Sequence, residues 1–266
     1  WVHRDRVFAL CPSGLQFEIE ASDLSTIGET TFDGVVEGSF SAHASYSVPR
    51  RGFYNFGLRF GRAAFLDLYF FPDDEPGSKR VASVPLAAPL FNHDFMLTEH
   101  WAVFVLPPAR FDAKTILLGR ALSEAMRWKP EEGAEVVLIG LDAPHEVVRF
   151  TIDPLAAIHF ANAWEEHGEI VLHAPVGKDF MRTWRWLESV AKGQRAPLPD
   201  PKLAEIRIDP KRKRASVMPL VDHVSEAPRV DPRGEMRRTR YVYGTSFAKE
   251  TNSGLPDRLV KLDAQK

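Results

Sequence analysis

The chain has 266 residues, 44% of them hydrophobic, enough apolar material for a large core. Thirty-four basic against thirty-six acidic residues leave a net charge of −2, which excludes a global electrostatic case for nucleic acid. A single cysteine, Cys11, rules out an internal disulfide framework and fits a reducing, cytoplasmic compartment, and no run approaches the roughly 20 apolar residues needed to cross a bilayer.

In chain order, strand signals dominate. Trp1 to Leu10 reads as a strand, Gln16 to Glu20 alternates, Gly52 to Phe60 alternates over a longer run, and Ala64 to Phe71 follows as a mostly apolar strand. His100 to Leu106, Glu135 to Gly140, Glu146 to Ile152, Leu155 to Ala163 and Glu169 to Ala174 come next. They are separated by turn clusters such as Asp73-Asp74-Glu75-Pro76-Gly77 and Lys129-Pro130-Glu131-Glu132-Gly133. Helical patterning is confined to Leu117–Trp128 and Asp179–Lys192, where Phe180, Trp184, Leu187 and Val190 share a face. A proline-rich connector, Ala196 to Pro201, leads to strands at Leu203–Ile208, Ala215–Leu220, Arg240–Tyr243 and Arg258–Asp263, with a basic hairpin tip at Lys211–Arg214. This texture predicts an all-β antiparallel meander with a few short helices in loops. A loose recurrence at roughly 45 residues is compatible with four-stranded blades. A strand at each end and no initial methionine make the expected object a piece of a larger protein, residues 1–266 forming a single β-propeller domain incomplete at both ends.

The chemistry rests on histidine. Ser41-Ala42-His43, Asn92-His93-Asp94-Phe95 and Ile158-His159-Phe160-Ala161-Asn162-Ala163-Trp164-Glu165-Glu166 each read as strand-like runs far apart in the chain. Imidazole nitrogens suit iron, copper, zinc and nickel, and ligands from distant segments meet only if the fold brings several strand ends to one axis, as a propeller does. A lone histidine in a strand is more often a hydrogen-bonded or surface residue. No glycine-rich phosphate loop, Ser-His-Asp arrangement or Cys-x-x-Cys pair competes, and no catalytic acid or base is assigned.

The order of these motifs resembles the carotenoid cleavage oxygenase family, which includes carotenoid, apocarotenoid and lignostilbene dioxygenases and the retinoid isomerase. Leu15 to Gly28 is similar to the family's strand ending in a threonine-rich turn, Ser41-Ala42-His43 to its Thr-Ala-His-Pro, and Tyr54-Asn55-Phe56-Gly57 to its Tyr-Asn-Phe-Gly. His93-Asp94-Phe95 with Leu97-Thr98-Glu99 resembles its second ligand strand. The string Asn162-Ala163-Trp164-Glu165-Glu166 after His159 is the most specific piece. Glu226-Ala227-Pro228-Arg229-Val230 and Arg240-Tyr241-Val242-Tyr243 resemble the family's Glu-Phe-Pro-Arg-Ile and Arg-Tyr-x-Tyr.

The resemblance implies an all-β fold, here a partial seven-bladed β-propeller, with Fe(2+) held by four histidines. His43, His93 and His159 match three of them; the fourth falls beyond this chain. Glu226 matches the carboxylate that holds His159, whereas the glutamate expected behind the second ligand falls on Pro12, which has no side-chain acceptor. Cys11 stands where stilbene-cleaving relatives carry a lysine, counting against a phenolic stilbene. The implied activity is a non-haem iron dioxygenase that cleaves a carbon–carbon double bond of a carotenoid or apocarotenoid into two carbonyl products. Its partners are a lipophilic small molecule and O2, with peripheral membrane contact as the outer limit and no nucleic acid. The alternatives are a catalytically inactive propeller that binds isoprenoids, or a stilbene-cleaving dioxygenase.

Overall fold

The computed structural model describes residues 1–12, 14, 16–74, 77–194, 198–247 and 255–265. Leu15 of the first family-like strand, Glu75 and Pro76 of a predicted turn, and Ala196 and Pro197 of the connector lie outside the described residues. The chain divides into two compact units, Trp1–Pro89 and Leu90–Lys266.

The first unit holds two four-stranded antiparallel sheets in sequential order. One is β1 (Val2–His3), β2 (Arg6–Ala9), β3 (Gln16–Ile19) and β4 (Thr26–Thr30). The single strand predicted over Trp1–Leu10 is in fact a hairpin: Arg4 and Asp5 both take positive φ, 51° and 59°, so β1 folds back on β2 with Val2 facing Val7. Two left-handed residues in a row are what a tight hairpin of matching twist requires, and without glycine the sequence does not advertise it. The second sheet is β5 (Ser45–Ser47), β6 (Gly52–Phe60), β7 (Ala64–Pro72) and β8 (Lys79–Leu86). Here β6 and β7 keep their predicted spans almost to the residue, but Tyr54 through Leu58 are buried on both faces. The core of this unit is aromatic, with Phe8, Phe32, Phe40, Tyr69 and Phe71 packed together against Trp1 and Phe53.

In the second unit, β9 (Met96–Leu97) and β10 (Trp101–Leu106) precede a hairpin of β11 (Ala109–Phe111) and β12 (Met126–Trp128). That hairpin carries two single-turn helices, α1 (Ala113–Leu117) and α2 (Leu122–Ala125), at its tip. The continuous helix expected over Leu117–Trp128 does not form. Gly119 sits at φ 70° between α1 and α2, and the backbone turns extended at Met126 to pair with Phe111. Strands β13 (Ala134–Gly140) and β14 (Val147–Ile152) complete a sheet of order β14-β13-β10-β9. The next sheet is β15 (Asn162–Glu166), β16 (Glu169–Val176), β17 (Lys202–Asp209) and β18 (Arg214–Val224), with α3 (Phe180–Ala191) inserted after β16 and N-capped by Asp179. A three-stranded sheet, β19 (Glu226–Arg229), β20 (Tyr241–Ser246) and β21 (Arg258–Asp263), follows. Apolar side chains of neighbouring sheets in this unit, among them Val103, Val136, Leu138, Phe160, Leu172 and Ile206, share one core.

All strand pairings are antiparallel and each four-stranded sheet runs in chain order, the pattern of propeller blades. Among the described residues there are two four-stranded sheets in the first unit, and two four-stranded sheets and one three-stranded sheet in the second, so this chain supplies five blade-like sheets where the whole-family expectation is seven.

Candidate metal centre

The three predicted ligands share a position in the topology that the sequence reading missed. None lies within a strand. His43, His93 and His159 each sit in an irregular segment just before the first strand of a four-stranded sheet, ahead of β5, β9 and β15 respectively. The strand expected over Leu155–Ala163 begins only at Asn162. Before it the backbone meets the β16 segment only at isolated points, where Ala156 pairs with Gly177 and the Ala161 N–H reaches the His173 carbonyl at 2.8 Å, while the Phe160 N–H turns away to the Asp94 carboxylate at 3.0 Å. Such segments end strand pairing and aim a side chain away from the sheet.

His43 belongs to the first unit and is half-buried. Its segment is set by polar groups of the Tyr54-Asn55-Phe56-Gly57 motif on β6. The Asn55 side chain, fully buried, donates to the Ser41 carbonyl at 2.8 Å and accepts from the Phe56 N–H at 2.8 Å. The Ser41 N–H bonds the Phe56 carbonyl, and the Ser41 hydroxyl accepts from the His43 N–H at 3.1 Å. Gly57 is needed for close approach, because a Cβ there would lie 2.1 Å from the Ser39 carbonyl oxygen. Pro12, also in this unit, occupies a turn closed by the Gln16 side chain, which bonds both the N–H and the carbonyl of Cys11 at 2.9 Å.

Within the second unit His93 and His159 converge. Their ring centroids are 4.8 Å apart at an interplanar angle of 84°, and each offers a nitrogen within 4.8 Å of the other's. Nδ1 of His159 lies 2.9 Å from Oε2 of Glu226, and the same oxygen accepts from the Ala227 N–H at 2.6 Å. A carboxylate accepts only, so Nδ1 carries the proton and Nε2 is left as the nitrogen with a lone pair. Burial alone pulls the His159 pKa down, but the hydrogen bond and charge of Glu226 and the charge of Asp94 raise it above its ordinary value. A donor set of imidazoles with one tautomer held by a carboxylate fits a borderline divalent cation.

Asp94 is the residue that sequence reasoning left without a role. It is buried, and its carboxylate accepts from the Phe95 N–H at 2.8 Å and from the Phe160 N–H at 3.0 Å, 66 positions away. Burial pushes its pKa up to about 6, against the opposing pull of those two N–H groups and of His159. Glu165 is a brace. It accepts from the Thr98 hydroxyl at 2.6 Å and the His100 N–H at 2.9 Å, tying β15 to the turn before β10. Asn162 closes the loop at 234–237, donating to the Arg237 carbonyl at 2.7 Å and accepting from the Met236 N–H at 3.0 Å.

The wall beside His93 is apolar. Phe91 stacks parallel to the His93 ring at 6.0 Å and meets Phe180 at 5.3 Å and Trp184 at 5.4 Å. Ile158 and Trp128 pack in the same cluster. Asp179 caps α3 and thereby places Phe180 and Trp184, the predicted face of that helix, against this cluster, whereas Leu187 on the same face is 44% exposed.

Blade-like antiparallel sheets whose leading segments present half-buried histidines define the class, an all-β propeller-type protein with a candidate imidazole metal centre. The chain belongs to the family described as retinal pigment epithelial membrane protein, RPE65, which matches residues 1–266. It is similar to the apocarotenoid-15,15'-oxygenase of Synechocystis sp., 26% identical over 98% of this chain and 54% of that protein. It is also similar to the isoeugenol monooxygenase of Pseudomonas putida, 26% identical over 91% of this chain and 50% of that protein. A third relative, carotenoid 9,10(9',10')-cleavage dioxygenase 1 of Phaseolus vulgaris, is 26% identical over 92% of this chain and 45% of that protein. The chain therefore spans about half the length of the curated relatives it matches. Among solved structures, cobalt-substituted Synechocystis ACO superposes with a TM-score of 0.81 at 22% identity, over 100% of this chain and 57% of that one. An ACO/RPE65 chimera gives 0.81 at 23% identity, over 99% and 56%. These likenesses establish the fold, and the family resemblance read from the motifs holds.

Proposed function

We propose that the whole protein, a seven-bladed β-propeller of which residues 1–266 are part, is a non-haem iron dioxygenase that cleaves a carbon–carbon double bond of a carotenoid or apocarotenoid. The observation that carries the reading is the convergence of His93 and His159, with Glu226 holding the His159 tautomer, in a chain matched to the family over its full length. His43 is the proposed third ligand, and a fourth histidine is expected from elsewhere in the whole protein. Bound ferrous iron would supply oxygen activation, with both atoms of O2 ending in the two carbonyl groups that replace the double bond.

The residues of this chain do the rest by placement. The neutral imidazoles leave the cation its full charge, Glu226 fixes the ring of His159, and the Phe91–Phe180–Trp184 wall offers an uncharged conjugated chain a water-poor surface beside His93. No proton-transfer group is needed for such an oxygen insertion. Peripheral membrane contact, suited to a lipophilic substrate, is supported by the hairpin tip of α1 and α2, where Leu117 is 85% and Leu118 79% exposed. No helix among the described residues is long and apolar enough to cross a membrane.

Incubating the full-length protein with carotenoids, apocarotenoids and phenylpropenes under oxygen and identifying the aldehyde or ketone products tests the proposal, with His159→Ala expected to abolish them. An inactive isoprenoid-binding propeller is the second reading, favoured by Pro12 at the position of a family glutamate. Retention of a carotenoid without any carbonyl product would select it.

A further inference from the structure

The carboxylate of Asp94 links two segments that the sequence keeps far apart. One oxygen accepts from the Phe95 N–H, two residues after His93, and the other from the Phe160 N–H, the residue after His159. Asn92 adds a bond to the Asp94 carbonyl at 3.0 Å, so the His93 segment is held from both sides of its turn. The two N–H groups belong to irregular backbone and are buried, where each needs an acceptor. A carboxylate can serve both because it has two accepting oxygens. An amide of the same shape has one, and would set its NH2 against a donor.

We propose that Asp94 is a positioning residue that sets the mutual orientation of the His93 and His159 rings and thereby the affinity of the metal centre, an inference that rests on the reading of those histidines as ligands. The bond to Phe160 acts one residue from His159 and Asp94 itself follows His93, so the two backbones cannot shift against each other while the carboxylate bridges them. Glu226 fixes the rotation of the His159 ring about its own axis, whereas Asp94 fixes where that ring stands relative to His93.

The test uses full-length protein freed of metal and titrated with cobalt(II), whose visible absorption bands report ligand geometry. Two variants are compared with wild type: Asp94→Asn, which keeps the shape and loses one acceptor, and Asp94→Ser, whose hydroxyl reaches the Phe95 N–H but not Phe160. Asp67→Asn serves as a control for general destabilisation, since Asp67 is also fully buried but is held by Arg59 and Ser83 in the first unit. The expected result is a cobalt(II) affinity about tenfold to hundredfold weaker in both Asp94 variants, with displaced absorption bands. In the control only the melting temperature should fall. Wild-type affinity and bands in a folded Asp94→Ser would overturn the proposal. If wild-type protein takes up no cobalt(II), the metal reading falls, and the ring nitrogen NMR shifts of His93 and His159 in the metal-free protein decide this one. Shifts that move in Asp94→Ser support positioning, and shifts that stay refute it.

Discussion

Replacing Glu226 by alanine removes the 2.9 Å bond to His159 Nδ1 and the 2.6 Å bond to the Ala227 N–H together. The first loss frees the imidazole to rotate and to protonate Nε2 instead of Nδ1, which takes away the lone pair that faces a cation. Partners of this kind contribute about tenfold to hundredfold in metal affinity, or about 1.4–2.8 kcal/mol at 1.4 kcal/mol per decade. A hydrogen bond to a charged group is worth about 1.5–3 kcal/mol, so the two routes to the magnitude agree. The second loss falls on the fold. Ala227 sits at φ 48°, a conformation that costs a non-glycine residue about 1–2 kcal/mol, and the carboxylate compensates by holding its N–H. Calorimetric titration of metal-free full-length protein with cobalt(II), beside a thermal melt, separates the effects. Glu226→Gln, whose amide oxygen can take the place of the single carboxylate oxygen that serves both donors but carries no charge, should fall between wild type and Glu226→Ala. An affinity for Glu226→Ala within about twofold of wild type would show that His159 does not depend on this carboxylate and would refute the holding role of Glu226.

Gly57→Ala should destabilise the chain by about 1–3 kcal/mol or more, because the added Cβ would lie 2.1 Å from the Ser39 carbonyl oxygen; an unchanged denaturation midpoint would refute the close approach. His173 is buried and its pKa is lowered from 6.5 by desolvation, against the opposing charge of Glu205, so the fold prefers the neutral ring. The unfolded chain then takes up the proton first, and the contribution is complete above pH 6.5 and lost as pH falls below it, at no more than about 1.4 kcal/mol per pH unit. The stability of wild type relative to His173→Phe should therefore fall between pH 7 and pH 5 in denaturation curves, and a constant difference would contradict the burial argument. Leu117→Asp combined with Leu118→Asp should weaken cosedimentation with lipid vesicles while leaving the melting temperature unchanged, since both side chains are exposed in the folded chain; equal cosedimentation would remove the membrane-contact reading.

The information legible along the chain was local and ordered. Alternating or continuous apolar runs bounded by turn residues located β6, β7, β13, β17 and β21 within a residue or two, and Asp179 marked the start of α3, because strand patterning and capping act over a few neighbouring residues. The motif strings around His43, His93, His159 and Glu226 identified the family, since their order along the chain is itself sequence information. Tertiary structure decided the rest wherever a backbone group found its partner far away. The run before Asn162 looks like a strand, yet the Phe160 N–H goes to the Asp94 carboxylate, so it stays irregular and delivers His159 toward His93. The helix expected through Leu117–Trp128 gives way because Met126 gains a cross-strand partner in Phe111. Asp94 and Glu165 look like ordinary surface acids until the fold shows the N–H groups and hydroxyl they serve. A buried carboxylate is costly alone and is retained by donors that the fold supplies, so its role is written in distances across the fold rather than in spacing along the chain.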